Sequence, residues 1–157
     1  MSNEEILTES KDECAHSTQR TIDAPVEMVF GAFSNPDLLA QWWGPNGFTN
    51  TFKEFDLKKD GYWRFTMHGP DGKNYPNESR FIEVISNEKV VIEHFSGHHF
   101  ILTITFNSAG NTTIVGWKQL FDTVEHYQKI TEFVSQANEQ NLDRLSSVVA
   151  NVMRAVD

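Results

Sequence analysis

Tyr62-Trp63-Arg64-Phe65-Thr66-Met67-His68-Gly69-Pro70-Asp71-Gly72 reads as a strand running into a turn. Trp63, Phe65 and Met67 alternate with Tyr62, Arg64, Thr66 and His68, the period of two expected where one strand face is buried and the other solvated. Gly69-Pro70-Asp71-Gly72 then breaks the run with turn-forming residues. The same alternation recurs on both sides. Upstream lie Phe48 to Phe55 and the turn Lys59-Asp60-Gly61. Downstream lie Tyr75 to Ile85 and the turn Ser86-Asn87-Glu88. Two runs follow, Val90-Ile92-His94 and Phe100-Leu102-Ile104-Phe106, separated by Ser96-Gly97. Past Gly110-Asn111 comes Val115-Trp117-Gln119-Phe121. Successive strands on short turns predict an antiparallel meander.

At either end of the meander the period changes to helical. Val134, Ala137/Asn138, Asn141/Leu142, Leu145, Val148/Val149 and Val152 recur at spacings of three and four, a stripe of some twenty residues and roughly 30 Å of helix. Glu139, Asp143 and Arg144 fall on its polar face. A sheet that buries one face needs a cover, and this helix is the element long enough to supply it. Before the meander, Thr18 to Ile22 reads as a strand. Pro25 suits a first helical position, and Val26, Val29, Phe30 and Phe33 share one helical face. Asn35 is an N-cap residue with Pro36 and Asp37 behind it, and Gly44-Pro45 stops this second short helix. The expected fold class is α+β: a curved antiparallel sheet wrapped round a long C-terminal helix, with two short helices after the first strand.

Length and composition bound the function. At 157 residues the chain is expected to hold one domain, and 12% aromatic content is high for a disordered one. Thirteen basic against 22 acidic residues leave a net charge of −9, which argues against a nucleic-acid partner. Glu4, Glu5, Glu9, Asp12 and Glu13 against Lys11 place much of that charge in residues 1–15, expected to be a fraying acidic tail ahead of a single domain over residues 16–157. The first residues lack the basic and apolar regions of a secretory signal. No apolar run approaches the ~20 residues that cross a bilayer. A single cysteine, Cys14, fits a reducing compartment, and the expected location is the cytoplasm.

The order of elements resembles the helix-grip fold of the START-related lipid-transfer superfamily, which the Bet v-like proteins share. The motifs narrow it. Ile22-Asp23-Ala24-Pro25-Val26-Glu27-Met28-Val29-Phe30, Asn35-Pro36-Asp37-Leu38-Leu39-Ala40-Gln41-Trp42-Trp43-Gly44-Pro45, Trp63 through Gly72 and Leu142-Asp143-Arg144-Leu145 are similar to the family named for the activator of heat-shock protein 90 ATPase, in its small single-domain bacterial form. The resemblance runs through residues 18–155. It implies a cavity between sheet and long helix, used in the superfamily for lipids, hormones, polyketides or other apolar ligands. Co-chaperone activity is not carried over, because the eukaryotic co-chaperone has an additional N-terminal domain for which these residues leave no room.

The aromatic residues on inward phases are the candidates for lining such a cavity: Trp43 and Phe48 near its mouth, then Trp63, Phe65, Met67, Trp117, Phe121 and Phe133. Gln119 shares the phase of Trp117, and Ala137, Asn141 and Leu145 face it from the helix. Asn138 is the alternative to Asn141 as the partner of Gln119. A filled core of the same residues is the competing reading, which periodicity does not separate from a lined cavity. Ser79 and Glu83 share a phase with Tyr75 and Phe81. Facing inward, Glu83 is a buried carboxylate and a candidate acid or base; facing outward, it bridges to Arg64 or Arg80.

If Ser96-Gly97 is a two-residue hairpin loop, His94 lies opposite His99. That pair lacks a third ligand, so no metal is expected. Cys14 sits among carboxylates that disfavour a thiolate. No phosphate-binding glycine loop is present, so no cofactor is expected. Three readings follow. The first is a protein binding a small apolar, aromatic or lipid-like ligand. The second is a cyclase- or hydrolase-like enzyme using Glu83, His94 or Tyr75. The third is an interaction module for a chaperone or other protein, or a homodimer, with Trp42 on an exposed patch because adjacent Trp42 and Trp43 do not share a helix face.

Overall fold

The computed structural model describes residues 14–156. Strand β1 spans Ala15–Ile22, helix α1 Val26–Ser34 and helix α2 Pro36–Trp42. Strands β2 (Thr49–Phe55), β3 (Tyr62–His68), β4 (Asn74–Ile85), β5 (Lys89–His94), β6 (Phe100–Ala109) and β7 (Thr112–Phe121) follow, then helix α3 (Val124–Val156). The seven strands form one antiparallel sheet in the order β1-β7-β6-β5-β4-β3-β2. Strands β2 to β7 are the meander that the alternation predicts, and β1 joins it beside β7.

Strand β1 is longer than its side chains announce. It pairs with β7 from Ala15↔Leu120 to Ile22↔Thr113, so its backbone groups are satisfied with little help from apolar burial. Cys14, expected in a fraying tail, is 7% exposed, and its carbonyl accepts from the Phe121 N–H at 2.9 Å. Residues 1–13 of that expected tail lie outside the described residues.

The short helices start and stop on recognisable chemistry. Pro25 sits one residue earlier than expected, as the N-cap of α1 rather than its first helical residue. The Asn35 side chain caps α2 by accepting from the Asp37 N–H at 3.0 Å. Helix α2 ends at Trp42, and Trp43 already has extended dihedrals. Both indoles therefore turn inward, and Trp42 is 1% exposed, its N–H donating to the Ala32 carbonyl at 2.9 Å. The exposed Trp42 of the interaction reading is thus corrected: the helix ends between the two residues, and the face argument does not apply.

Helix α3 has 33 residues, about 50 Å at 1.5 Å per residue, and begins ten residues before the apolar stripe. Thr123 starts it, its hydroxyl accepting from the His126 N–H at 3.1 Å, and Tyr127 stacks on Phe121 at 5.5 Å. The helix packs against β1, β7 and both short helices. Among its described neighbours, Arg20 of β1 holds it by ion pairs to Glu139 (3.0 Å) and Asp143 (2.7 Å).

The core centres on Trp63, which is wholly buried. Its ring lies 4.4 Å from Phe65, 4.8 Å from Trp43, 5.5 Å from Phe52 and 6.0 Å from Phe81. Aromatic pairs at such spacings add ~0.5–1.5 kcal/mol each beyond the area they bury. No helix among the described residues is long and apolar enough to cross a membrane.

Candidate functional site

A cavity of about 240 Å³ lies between the sheet, the Gly44-Pro45 loop and the middle of α3. Its apolar walls are Trp43, Phe65, Met67, Ile92, Phe100, Leu102, Trp117 and Ala137. Its polar groups are Asn77, Ser79, His94, His98, Gln119, Asn138 and Asn141. No Asp, Glu, Lys or Arg is among these lining residues.

The elements place the polar groups in two sets. Strands β4 and β5 bring Ser79 opposite His94 in register, with Asn77 two residues away on the same face. His94 Nδ1 lies 2.7 Å from the His98 carbonyl oxygen and Nε2 lies 2.7 Å from Asn77 Oδ1. The Asn77 amide nitrogen donates to the Tyr75 carbonyl, which fixes that orientation. The imidazole stacks flat on Phe100 at 4.5 Å. Its two contacts call for two N–H donors, yet burial, the largest influence, pulls the His94 pKa below its ordinary value against the opposing His98 contact.

The second set joins α3 to β7. The Asn138 amide donates to Gln119 Oε1 at 3.1 Å. Asn141 turns to the loop instead, donating to the Trp42 carbonyl at 2.8 Å and accepting from the Gly44 N–H at 3.3 Å. Among the described residues, two donors at the cavity matter most for a ligand. The Trp117 indole N–H is buried and makes no hydrogen bond; the Ser79 hydroxyl, on a residue 2% exposed, lines the cavity. A buried donor left unpaired costs ~1–3 kcal/mol.

Seven of the twelve expected lining residues meet here: Trp43, Phe65, Met67, Trp117, Gln119, Ala137 and Asn141. Trp63, Phe121 and Leu145 are buried in packing outside the cavity wall. Phe48 is half-buried, its ring 6.0 Å from Tyr75. Phe133 corrects the inward expectation outright, because it is 67% exposed; it immediately precedes the buried Val134 and falls on the outer face of α3.

Two of the three acid–base candidates are displaced. A β-bulge between Phe81 and Glu83 adds a residue and reverses the phase beyond it. Glu83 therefore points out and pairs with Lys89 at 3.3 Å, not with Arg64 or Arg80. Tyr75 is 41% exposed, and its hydroxyl donates to Asp71 at 3.2 Å. His94 does line the cavity, but it is not opposite His99. The connection runs from Phe95 to His99, so His94 pairs with Phe100. His99 meets Glu93 at 3.0 Å and Asp122 at 2.6 Å, and these two hydrogen bonds raise its pKa. No cluster of three metal-ligating side chains exists among the described residues.

The family model described as "Activator of Hsp90 ATPase homolog 1-like protein" matches residues 23–150. The chain belongs to that family. Solved structures agree on the fold. A Nitrosomonas europaea protein superposes with a TM-score of 0.83 at 17% identity, covering 90% of this chain and 97% of its own. A solution structure from Arthrobacter aurescens gives 0.81 at 20% identity, covering 89% and 88%. The protein from Aeromonas hydrophila described as AHSA1-like gives 0.72 at 19% identity, covering 88% and 93%. No curated protein matches the sequence.

In this member of the Activator of Hsp90 ATPase homolog 1-like family, the Trp-Trp-Gly-Pro segment forms the rim of the cavity, and Arg144 holds it. Expected on the solvent face of α3, Arg144 instead reaches across the loop. Its guanidinium donates to the carbonyl oxygens of Gln41, Trp43, Gly44, Pro45 and Phe48 at 2.8–3.2 Å. A planar fork of five donors suits a loop whose carbonyls converge. Asn77, Ser79, Ile92, Phe100 and Leu102 were not among the lining residues expected from sequence. Ile92, Phe100 and Leu102 share the inward phase of their strands, the signal by which they were findable.

Proposed function

We propose that this protein binds a small apolar or aromatic ligand in the cavity between α3 and the sheet. The observation that carries the reading is the cavity's lining: the aromatic side chains of Trp43, Phe65, Phe100 and Trp117 around open space, with a few polar groups and no charged side chain. Sites for small organic ligands have this composition. The flexible thioether of Met67 adds an adaptable wall. An acid–base enzyme in the same space finds less support. Its carboxylate candidate Glu83 faces out, and both ring nitrogens of His94 lie 2.7 Å from protein oxygens. An interaction module built on Trp42 finds less still, since that indole is buried.

The test is a two-dimensional amide NMR titration of the folded chain with fatty acids, sterols, flavonoids and aromatic polyketides. Saturable shifts of the Trp43 and Trp117 indole signals, with surface amides unmoved, support binding in the cavity. If no compound of any class moves either signal, the reading is abandoned.

A further inference from the structure

The cavity's size, charge and unpaired groups narrow the ligand, given the binding reading above. An apolar cavity of ~150 Å³ accommodates a benzene ring. The remaining space in about 240 Å³ holds roughly three more heavy atoms at ~30 Å³ each. A sterol or a long acyl chain does not fit wholly within it. The walls include the aromatic rings of Trp43, Phe65, Phe100 and Trp117, and aromatic ligands pack against such rings edge-on or face-on.

Charge is the second constraint. With no Asp, Glu, Lys or Arg in the lining, an ionised ligand loses its hydration without gaining a counter-ion. Arg144 is not among the lining residues, and its Nη groups face five loop carbonyls rather than the cavity. His94 is committed to His98 and Asn77.

The third constraint is the hydrogen bond still to be made. Ser79 is 2% exposed and lines the cavity, and its hydroxyl is not used in the hydrogen bonds of Asn77, His94, Gln119, Asn138 or Asn141 described above. It stands in register between Trp63 and His94, beside the wall formed by Phe65. A ligand that brings an oxygen to this point accepts from it. Trp117, also a lining residue with an unpaired donor, equally asks for an acceptor.

We propose that the cavity takes an uncharged single-ring aromatic ligand carrying an acceptor oxygen, such as a small aryl ketone, ester or ether, with the Ser79 hydroxyl donating to that oxygen. Three probes of matched size test this: acetophenone, cumene and benzoate each have nine heavy atoms with the same branched connectivity and differ chiefly in polarity and charge. Palmitate is the long-chain comparison. Dissociation constants are measured at pH 7 by NMR titration of the full chain and of Ser79→Ala.

Acetophenone is expected to bind the wild type at least tenfold more tightly than benzoate, and palmitate is expected to leave the Trp43 and Trp117 signals unmoved. Ser79→Ala is expected to weaken acetophenone about fivefold while cumene binds as before, which also shows that the variant is folded. Equal loss or no loss for the two probes overturns Ser79 as the anchor. Tighter binding of benzoate overturns the neutral ligand, and cavity binding of palmitate overturns the size limit. These results leave the binding reading standing, whereas silence of both indoles toward every probe and the wider panel removes that reading as well.

Discussion

The Arg144 guanidinium donates to the Gly44 carbonyl oxygen at 2.8 Å, joining the last helix to the turn that rims the cavity across 100 residues of sequence. The same group reaches four neighbouring carbonyls, and no carboxylate among the described residues pairs with it. Burial lowers its pKa from the ordinary value, but a guanidinium stays protonated in proteins. Arg144→Met keeps much of the aliphatic stem and removes every donor. It is expected to cost about 2–4 kcal/mol, because several loop carbonyls lose their partner together. Arg144→Lys restores only a small part, since an ammonium is a compact point donor. Urea unfolding with an unchanged slope checks both; a loss under 1 kcal/mol for Arg144→Met contradicts the clamp.

Gly44 itself tolerates little. Its φ is +96°, and a Cβ there stands 2.6 Å from Met67 Cε and 3.3 Å from Phe48 Cβ. Gly44→Ala is expected to destabilise by about 1–3 kcal/mol from backbone strain and crowding. Because the Met67 end is flexible, Gly44→Ala with Met67→Ala is expected to regain the crowding share and leave the strain. Thermal unfolding of the single and double variants separates the two contributions, and full recovery in the double variant rules out the strain.

Trp63 and Trp117 both carry buried indole N–H groups without hydrogen-bond partners. Replacing either by Phe removes that unmet donor along with some apolar area, so the two changes oppose one another. Trp117→Phe is expected to cost less than about 1.5 kcal/mol. Trp63→Ala, at the centre of the aromatic cluster, is expected to cost about 3–5 kcal/mol. Denaturant titration of the two variants checks the order, and a larger loss for Trp117→Phe overturns it.

His94 and His99 give opposite pH dependences. Hydrogen bonds to Glu93 and Asp122 raise the His99 pKa. Its contribution to stability is therefore complete below the unfolded value of about 6.5 and is lost as pH rises through the raised folded value. Burial lowers the His94 pKa, so stability is lost at that site as pH falls from about 6.5 through the depressed value. Ring-proton NMR is expected to show His99 titrating above His94. His99→Gln removes the loss on the alkaline side and leaves the acid side intact; the reverse order of titration contradicts both assignments.

Two residues of α3 that periodicity placed inward together part company in the structure. Leu145 is 1% exposed and Phe133 is 67% exposed. Leu145→Ala is expected to cost about 2–5 kcal/mol. Phe133→Ser is expected to stay within ~0.5 kcal/mol of the parent and to leave ligand titrations unchanged. Matched thermal melts decide it, and a large loss at Phe133 means that this face of the helix is covered.

The meander, the long helix and the two short helices were legible in the chain because each is written in local terms. Alternation such as Trp63-Phe65-Met67, the spacing of Leu142, Leu145 and Val149, and caps such as Asn35 act within a few residues. So was the inward phase of Trp43, Trp117 and Gln119. The errors occur where one residue changes the phase or a distant element sets the contact. The bulge at Phe81/Glu83 turned Glu83 outward, the five-residue connection after His94 broke its pairing with His99, and pairing with β7 ordered β1 without a strong apolar pattern.

The sequence by itself determined that this chain builds a curved antiparallel sheet against a long amphipathic helix, since backbone period and turn chemistry are properties of neighbours along the chain. Only the tertiary structure decided which side chains surround empty space and which fill the core. Whether Trp43 and Trp117 face a cavity while Trp63 is packed solid depends on how closely the Gly44 turn approaches Asn141 and Arg144 of α3, a distance that no local pattern encodes.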